Sequence, residues 1–156
     1  MSGGKKVRVL NGANLNLLGR REPHIYGSTT LAEIAEACIK AGAVRGIDVE
    51  FLQSNYEGEI VEWIQTAIDE CDAIVINAGA FTHTSIAIHD ALRAFPGHKI
   101  ELHISNPHLR EKFRHTSYVS PAVDGVVAGL GVGGYELVIR LLADMLDGSA
   151  GSSPSA

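Results

Sequence analysis

Short β-like runs and longer stretches of helical periodicity alternate from one end of this chain to the other, an order that few architectures accommodate. Val7-Arg8-Val9-Leu10 reads as a first strand. From Thr30, the apolar residues Leu31, Ile34, Ala35, Cys38 and Ile39 fall at helical spacing, and Thr30 with Glu33 has the pattern of a capping box. Val49-Glu50-Phe51-Leu52 is a second strand, and Ile60, Trp63, Ile64, Ala67 and Ile68 mark a second helix. Ala73-Ile74-Val75-Ile76 is a third strand, followed by a predicted helix from Ser85 to Arg93. A fourth strand is predicted from Ile100 to Ile104, a fifth from Gly125 to Ala128, and a final helix from Tyr135 to Leu146. Strands joined through helical crossovers run parallel, and the helices then cover both faces of the sheet. Five such units predict an α/β fold, a flavodoxin-like three-layer sandwich around a five-stranded parallel sheet. Residues 1–147 read as a single domain without internal repeats, and the small, polar residues 148–156 as a disordered tail.

Charge and length exclude several function classes. A net charge of −5 over 156 residues leaves no basic footprint for nucleic acid and no polybasic patch for anionic lipid. No apolar run approaches the roughly 18–20 residues that a membrane span requires. The apolar run after Lys5-Lys6 is too short for a secretory leader, which predicts a cytoplasmic protein. Cys38 and Cys71 lie in or beside helical apolar patterns, as free thiols acting as small hydrophobes do, and this agrees with a reducing compartment.

In open parallel sheets, ligands bind beyond the carboxyl ends of the strands. The segments there are Asn11-Gly12-Ala13-Asn14, Ser54-Asn55, Asn77-Ala78-Gly79, His103-Ile104-Ser105-Asn106 and Gly129-Leu130-Gly131. Asn, Ser and Gly are also turn formers, so this pattern alone is weak. The first connection is a sharper anomaly: about 18 residues separate strand and helix, against about 2–6 in most such connections. It carries Arg20, Arg21 and Tyr26 between Gly19 and Gly27, which suggests a lid hinged on glycines. An ordered surface loop with solvated arginines would have the same spacing.

Seven histidines raise the question of a metal, yet there is no His-Glu-x-x-His, no Cys-x-x-Cys and no carboxylate set at ligand spacing. His83 and His103 fall near the active edge, where they would serve as acid, base or hydrogen-bond donor; His24, His89, His98 and His115 look superficial, and His108 leaves a metal pair open. Gly129-Leu-Gly131-Val-Gly-Gly134 matches the dinucleotide pattern G-x-G-x-x-G, but it follows the last strand, with no later strand to supply a ribose-binding acid. Close packing of a helix on the sheet explains it equally. The lysines (Lys5, Lys6, Lys40, Lys99 and Lys112) fall away from the active edge, which argues against Schiff-base chemistry.

These segments together resemble the type II 3-dehydroquinate dehydratases. The resemblance is carried by Asn11-Gly-Ala-Asn-Leu-Asn-Leu-Leu-Gly19, Arg21-Glu-Pro-x-x-Tyr26-Gly, Gln53-Ser-Asn-x-Glu57-Gly-Glu59, Asn77-Ala-Gly-Ala-Phe-Thr-His83-Thr-Ser, Glu101-x-His103-Ile-Ser-Asn106, Arg114-x-x-Ser117-Tyr118 and Gly125-x-x-x-Gly129. It extends over residues 6–147 in the family's order. It implies a single catalytic domain of flavodoxin-like fold, a homododecamer built from trimers, and dehydration of 3-dehydroquinate to 3-dehydroshikimate without metal or cofactor, in the shikimate or quinate pathway. By motif, Tyr26 would be the base and His103 the proton donor, with Arg21 supporting Tyr26 and Asn14 holding a water near the enolate. Asn77, His83, Asp90, Ile104, Ser105 and Arg114 would bind substrate, Asp90 by reaching into a neighbouring subunit's site. Ala13, Phe81, His89 and Pro107 depart from the usual residues; Ala13 in place of proline should loosen the loop entrance.

The implied chemistry is physically reasonable. Tyrosine ordinarily ionises near pH ~10, so a phenolate base at neutral pH requires roughly 4 kcal/mol of favourable interaction, about three pKa units. A neighbouring guanidinium supplies about 1–3 of those units, and a closed lid strengthens the effect. Arg21 is the expected cation, with Arg20 adding to the field. A flavin-binding module or an inactive oligomerising homologue on the same fold are the competing readings.

Overall fold

The computed structural model describes residues 4–148. Five strands form one sheet: β1 (Lys5–Asn11), β2 (Ile47–Gln53), β3 (Ala73–Asn77), β4 (His98–His103) and β5 (Gly125–Ala128). All neighbouring pairs are parallel, in the order β2-β1-β3-β4-β5. This is the doubly wound order in which the winding reverses between β1 and β3. The helices are α1 (Pro23–Tyr26), α2 (Leu31–Ala43), α3 (Glu57–Glu70), α4 (Ile86–Ala94) and α5 (Gly133–Leu146).

Alternation along the strands divides the core in two. Val7 and Val9 of β1, Val49, Val75, Ile100 and Leu102 meet Ile34 and Cys38 of α2 and Val138, Ile139 and Leu142 of α5. Leu10, Ile74 and Ile76 point the other way, onto Ile60 and Ile64 of α3 and Ile88 and Leu92 of α4. The result is the expected sandwich, with helices on both faces. Arg8 shares the α3 face, and burial of its charge is offset by Glu50 Oε1 at 2.6 Å, Glu70 Oε2 at 2.6 Å, Thr66 Oγ1 at 2.7 Å and the Trp63 carbonyl at 2.8 Å.

The strand boundaries run past the apolar cores on which the prediction rested, because the ladder is made by backbone groups. Lys5, Lys6 and Asn11 all pair with β2 despite their polarity. β4 begins at His98, opposite Ala73, and its last rung is His103 opposite Ala128, so Ile104 lies beyond the strand rather than in it. The Thr30–Glu33 capping box is formed as expected. Ser85 is the cap of α4 and accepts from the Ile88 N–H, rather than being its first helical residue. The long first connection is not structureless: it folds into a 3-10 turn at Leu15–Leu17 and the short α1, whose first residue is Pro23. Gly148 lies at the end of the described residues, and the remaining tail positions, 149–156, are outside them.

Candidate active site

The pocket forms where β1 and β3 part. Asn11 ends β1 and Asn77 ends β3, and the Gly12 N–H donates to the Asn77 carbonyl at 2.8 Å. A side chain at Gly12 is impossible here, since its Cβ would lie 2.0 Å from the Ala78 carbonyl oxygen. Beneath both strand ends lies the buried Tyr135, whose hydroxyl donates to Asn11 Oδ1 at 2.7 Å and accepts from Asn77 Nδ2 at 2.9 Å. Burial pushes the Tyr135 phenol upwards, against the smaller opposing effect of the Asn77 hydrogen bond, so it stays neutral. Asn77 Oδ1 accepts from the Gly79 N–H at 3.2 Å, which leaves one hydrogen of its amide for a ligand.

Asn14 occupies the left-handed region at φ 69°, tolerable for asparagine. Its N–H donates to Asn55 Oδ1 at 2.9 Å, while Gln53 Nε2 donates to the Gly12 carbonyl at 3.2 Å. Side chains at the end of β2 (Gln53) and just past it (Asn55) therefore brace the loop that presents Asn14. The resulting cavity is about 240 Å3, suited to a small polar molecule rather than a dinucleotide.

Tyr26, at the end of α1, faces this cavity. Its hydroxyl accepts a hydrogen bond from Arg110 Nη1 at 2.5 Å. Arg21 also lines the cavity, with its guanidinium carbon 5.8 Å from the Tyr26 ring centroid and Nη2 3.2 Å from Glu22 Oε2. The cation bonded to the phenol oxygen is thus Arg110, while Arg21 stands over the ring. His103, just inside the end of β4, lines the same cavity. Its Nε2 lies 2.5 Å from Glu101 Oε2, which leaves Nδ1 for a ligand. Glu101 is buried. Burial would raise its carboxyl, but hydrogen bonds with His103, Ser120 and Ser117 win and hold it below the usual carboxylate range.

His83 Nδ1 pairs with the Thr116 carbonyl at 2.8 Å, which fixes the ring and leaves Nε2 free to turn to the pocket that His83 lines. Arg114 Nε donates to Glu111 Oε1 at 2.9 Å, and the residue lines the cavity with Ile104 and Ser105. Nine of the ten expected residues thus converge. Asp90 does not: it is exposed on α4 and does not line the pocket of its own chain. Lys99 is far from the pocket too, its Nζ donating to the Leu92 and Phe95 carbonyls at the end of α4.

The model of the class II dehydroquinases matches residues 5–143. The chain belongs to the class II dehydroquinase family. Among curated members, the 3-dehydroquinate dehydratase of Variovorax paradoxus is 54% identical over 143 residues, covering 88% of this chain and 98% of that protein. That of Mesorhizobium japonicum is also 54% identical, covering 91% and 99%. The type II dehydroquinase structure from Propionibacterium acnes superposes with a TM-score of 0.87 at 48% identity, covering 92% of this chain and 99% of that one.

Against this class II dehydroquinase background, the residues that the sequence reading missed are Arg110, Glu101 as the partner of His103, and the Asn11–Tyr135–Asn77 brace. The departures leave the polar constellation in place: Ala13 and Pro107 line the cavity, Phe81 packs against the α3–α4 core, and His89 Nδ1 pairs with the Tyr118 carbonyl at 2.7 Å. The glycine pattern at 129–134 has a backbone origin. Gly129 and Gly131 adopt φ of 83° and 70°, whereas a Cβ on Gly134 would make only ordinary contacts at 3.7 Å. Close helix packing is therefore not its main cause. Among the described residues no three His, Cys, Asp or Glu side chains gather at metal-binding range, and no helix is long and apolar enough to cross a membrane.

Proposed function

We propose that this chain dehydrates 3-dehydroquinate to 3-dehydroshikimate by anti elimination through an enolate. The observation that carries the reading is the pairing of a Tyr26 hydroxyl bonded to Arg110 with a His103 ring bonded to Glu101, both on one small cavity. The Tyr26 phenolate takes the proton from the carbon beside the substrate carbonyl. The electron pair moves onto the carbonyl oxygen as an enolate, which a water held by Asn14 stabilises. The enolate then re-forms the carbonyl as the carbon–oxygen bond of the β-hydroxyl breaks. His103 gives that oxygen a proton, and water leaves. Glu101 orients the imidazole and places a negative counter-charge beside it, as the carboxylate of a catalytic histidine pair does.

Arg114 and the backbone at Ile104 and Ser105 bind the substrate carboxylate in this scheme, while Asn77 and His83 bind its hydroxyls. Asp90, exposed and off its own pocket, fits a role in a neighbour's site within a homododecamer built from trimers. No lysine lines the cavity, which supports elimination without a Schiff base, and no step calls for a metal or cofactor. The reaction serves the shikimate pathway or quinate breakdown in the cytoplasm.

The direct test is to mix the protein with 3-dehydroquinate and follow the ultraviolet absorbance of the conjugated enone. Growth of that absorbance, insensitive to borohydride and to chelators, is expected. A folded protein that yields no enone, or one trapped covalently by borohydride, overturns the reading.

A further inference from the structure

Glu22 is unusual in three independent ways. Among the described residues it is one of two non-glycine residues with positive φ, at 44°, and no side-chain hydrogen bond caps the helix it precedes. A glutamate in this region is strained, and such strain persists only where the surroundings impose it. Its Oε2 is shut off from solvent without an aligned hydrogen-bond donor. That same oxygen nevertheless lies 3.2 Å from Arg21 Nη2 and 3.8 Å from Arg110 Nη2, the two guanidiniums that flank the Tyr26 ring at 5.8 Å and 5.4 Å. Arg21, Glu22 and Tyr26 belong to the segment between β1 and α2, whereas Arg110 belongs to the segment after β4.

We propose that Glu22 is a positioning residue: its carboxylate docks the Tyr26-bearing segment onto Arg110 and holds the two guanidiniums together beside the phenol. Without it two like charges repel across the Tyr26 ring, and Arg110 keeps the hydrogen bond to the Tyr26 hydroxyl and its contact with the Tyr26 ring but loses the carboxylate. The strained backbone is consistent with this role, since in it the Glu22 carboxylate oxygen lies beside both cations. Arg110 is thereby aimed at the phenol oxygen before substrate arrives. The kinetic consequence rests on the elimination reading above; the docking itself does not.

The test compares Glu22→Gln, Glu22→Asn and Glu22→Asp with the parent protein. Asparagine and aspartate both tolerate positive φ, so they relieve strain, and only aspartate keeps the charge. Chymotryptic cleavage after Tyr26, four residues from the substituted position, reports undocking without reference to activity. Glu22→Gln and Glu22→Asn are expected to be nicked there several-fold faster, with thermal stability little changed. Both should lose about tenfold or more in kcat with a smaller effect on KM, and the rising limb of the pH–rate profile should move to higher pH. Glu22→Asp should recover part of each effect. Parent-like nicking together with a parent-like pH profile in Glu22→Asn overturns the proposal, since strain alone would then explain the residue. Faster nicking with no enone formed by any variant or by the parent refutes the elimination reading and leaves the docking role standing. Should Glu22→Gln fail to fold, the asparagine and aspartate variants decide the matter by the same two readouts.

Discussion

Arg110 Nη1 and the Tyr26 hydroxyl oxygen lie 2.5 Å apart, joining segments 84 residues distant in the chain. A guanidinium bonded to the phenol oxygen stabilises the phenolate more directly than one stacked over the ring, because the new charge resides mainly on oxygen. Arg110→Met should therefore lower kcat by about 10²–10³-fold, the range for loss of one preorganised donor, and move the rising limb of the pH–rate profile upwards. Arg21→Met should have the milder effect of the two. Equal losses, or a larger loss at Arg21, in steady-state kinetics across pH would return the principal role to Arg21.

The acid side of the reaction makes a separate prediction. His103→Ala should fold normally yet lose about 10²–10⁴ in kcat, as removal of a general acid does. Tyr26→Phe should lose a similar factor. Circular dichroism would establish folding, and enone formation would measure turnover. Near-normal kcat in either variant would remove that residue from its role.

How much of this was legible follows from where each signal lies. β3 reads plainly because Ala73-Ile74-Val75-Ile76 is an unbroken apolar run, as a strand covered on both faces must be. α1 spans only Pro23–Tyr26, too short for any period to register. Tyr26 and Arg21 stood out because they sit in an over-long connection beside the ligand edge. Arg110 sits in a second one, about 20 residues between β4 and β5, and the same length argument points there. Which cation reaches the phenol oxygen was beyond reach, since it depends on how two irregular segments fold over one another. The Tyr135 brace was hidden for a different reason: an aromatic at helical spacing reads as core, and only its hydroxyl partners reveal a second task.

Glu101 should couple stability to acid. Its folded carboxyl titrates below the ordinary value of 4.5, so its stabilising contribution is complete above about that pH and is lost as pH falls through the lower folded value. Urea unfolding of the parent should show stability falling steeply below about pH 4.5. In Glu101→Gln that acid-side slope should be shallower. Glu101→Ala, which strips one partner from a buried pair, should cost about 3–5 kcal/mol at neutral pH. An unchanged acid slope in the glutamine variant would show that other carboxylates govern it.

Gly12→Ala tests the contact between the first and third strand ends. With a Cβ placed 2.0 Å from the Ala78 carbonyl oxygen, backbone must shift, since no flexible side chain is there to yield. The loss should be about 3 kcal/mol or more, among the larger values for a point change, and should carry Asn14 away from the pocket. Chemical denaturation with parallel kcat measurement would check it; a variant within about 0.5 kcal/mol of the parent contradicts the packing described.

Tyr135→Phe separates the brace from the core. The ring is fully buried and is retained by the substitution, so apolar packing is conserved while Asn11 Oδ1 and Asn77 Nδ2 each lose a partner. Leaving buried polar groups unpaired should cost about 1–3 kcal/mol at neutral pH. The difference narrows in alkali. Burial raises the Tyr135 phenol above its ordinary value of 10, so the folded state favours the neutral form, and its contribution is complete below about pH 10 and drains away as pH rises towards the folded value. The parent should thus lose stability above about pH 10 faster than the variant, and the two unfolding curves should converge. Because Asn77 stays tied to Gly79 through its Oδ1, the pocket keeps its outline, and KM should rise more than kcat falls. Parallel stability curves from pH 7 to 11 would mean that the hydroxyl is not held neutral in the core.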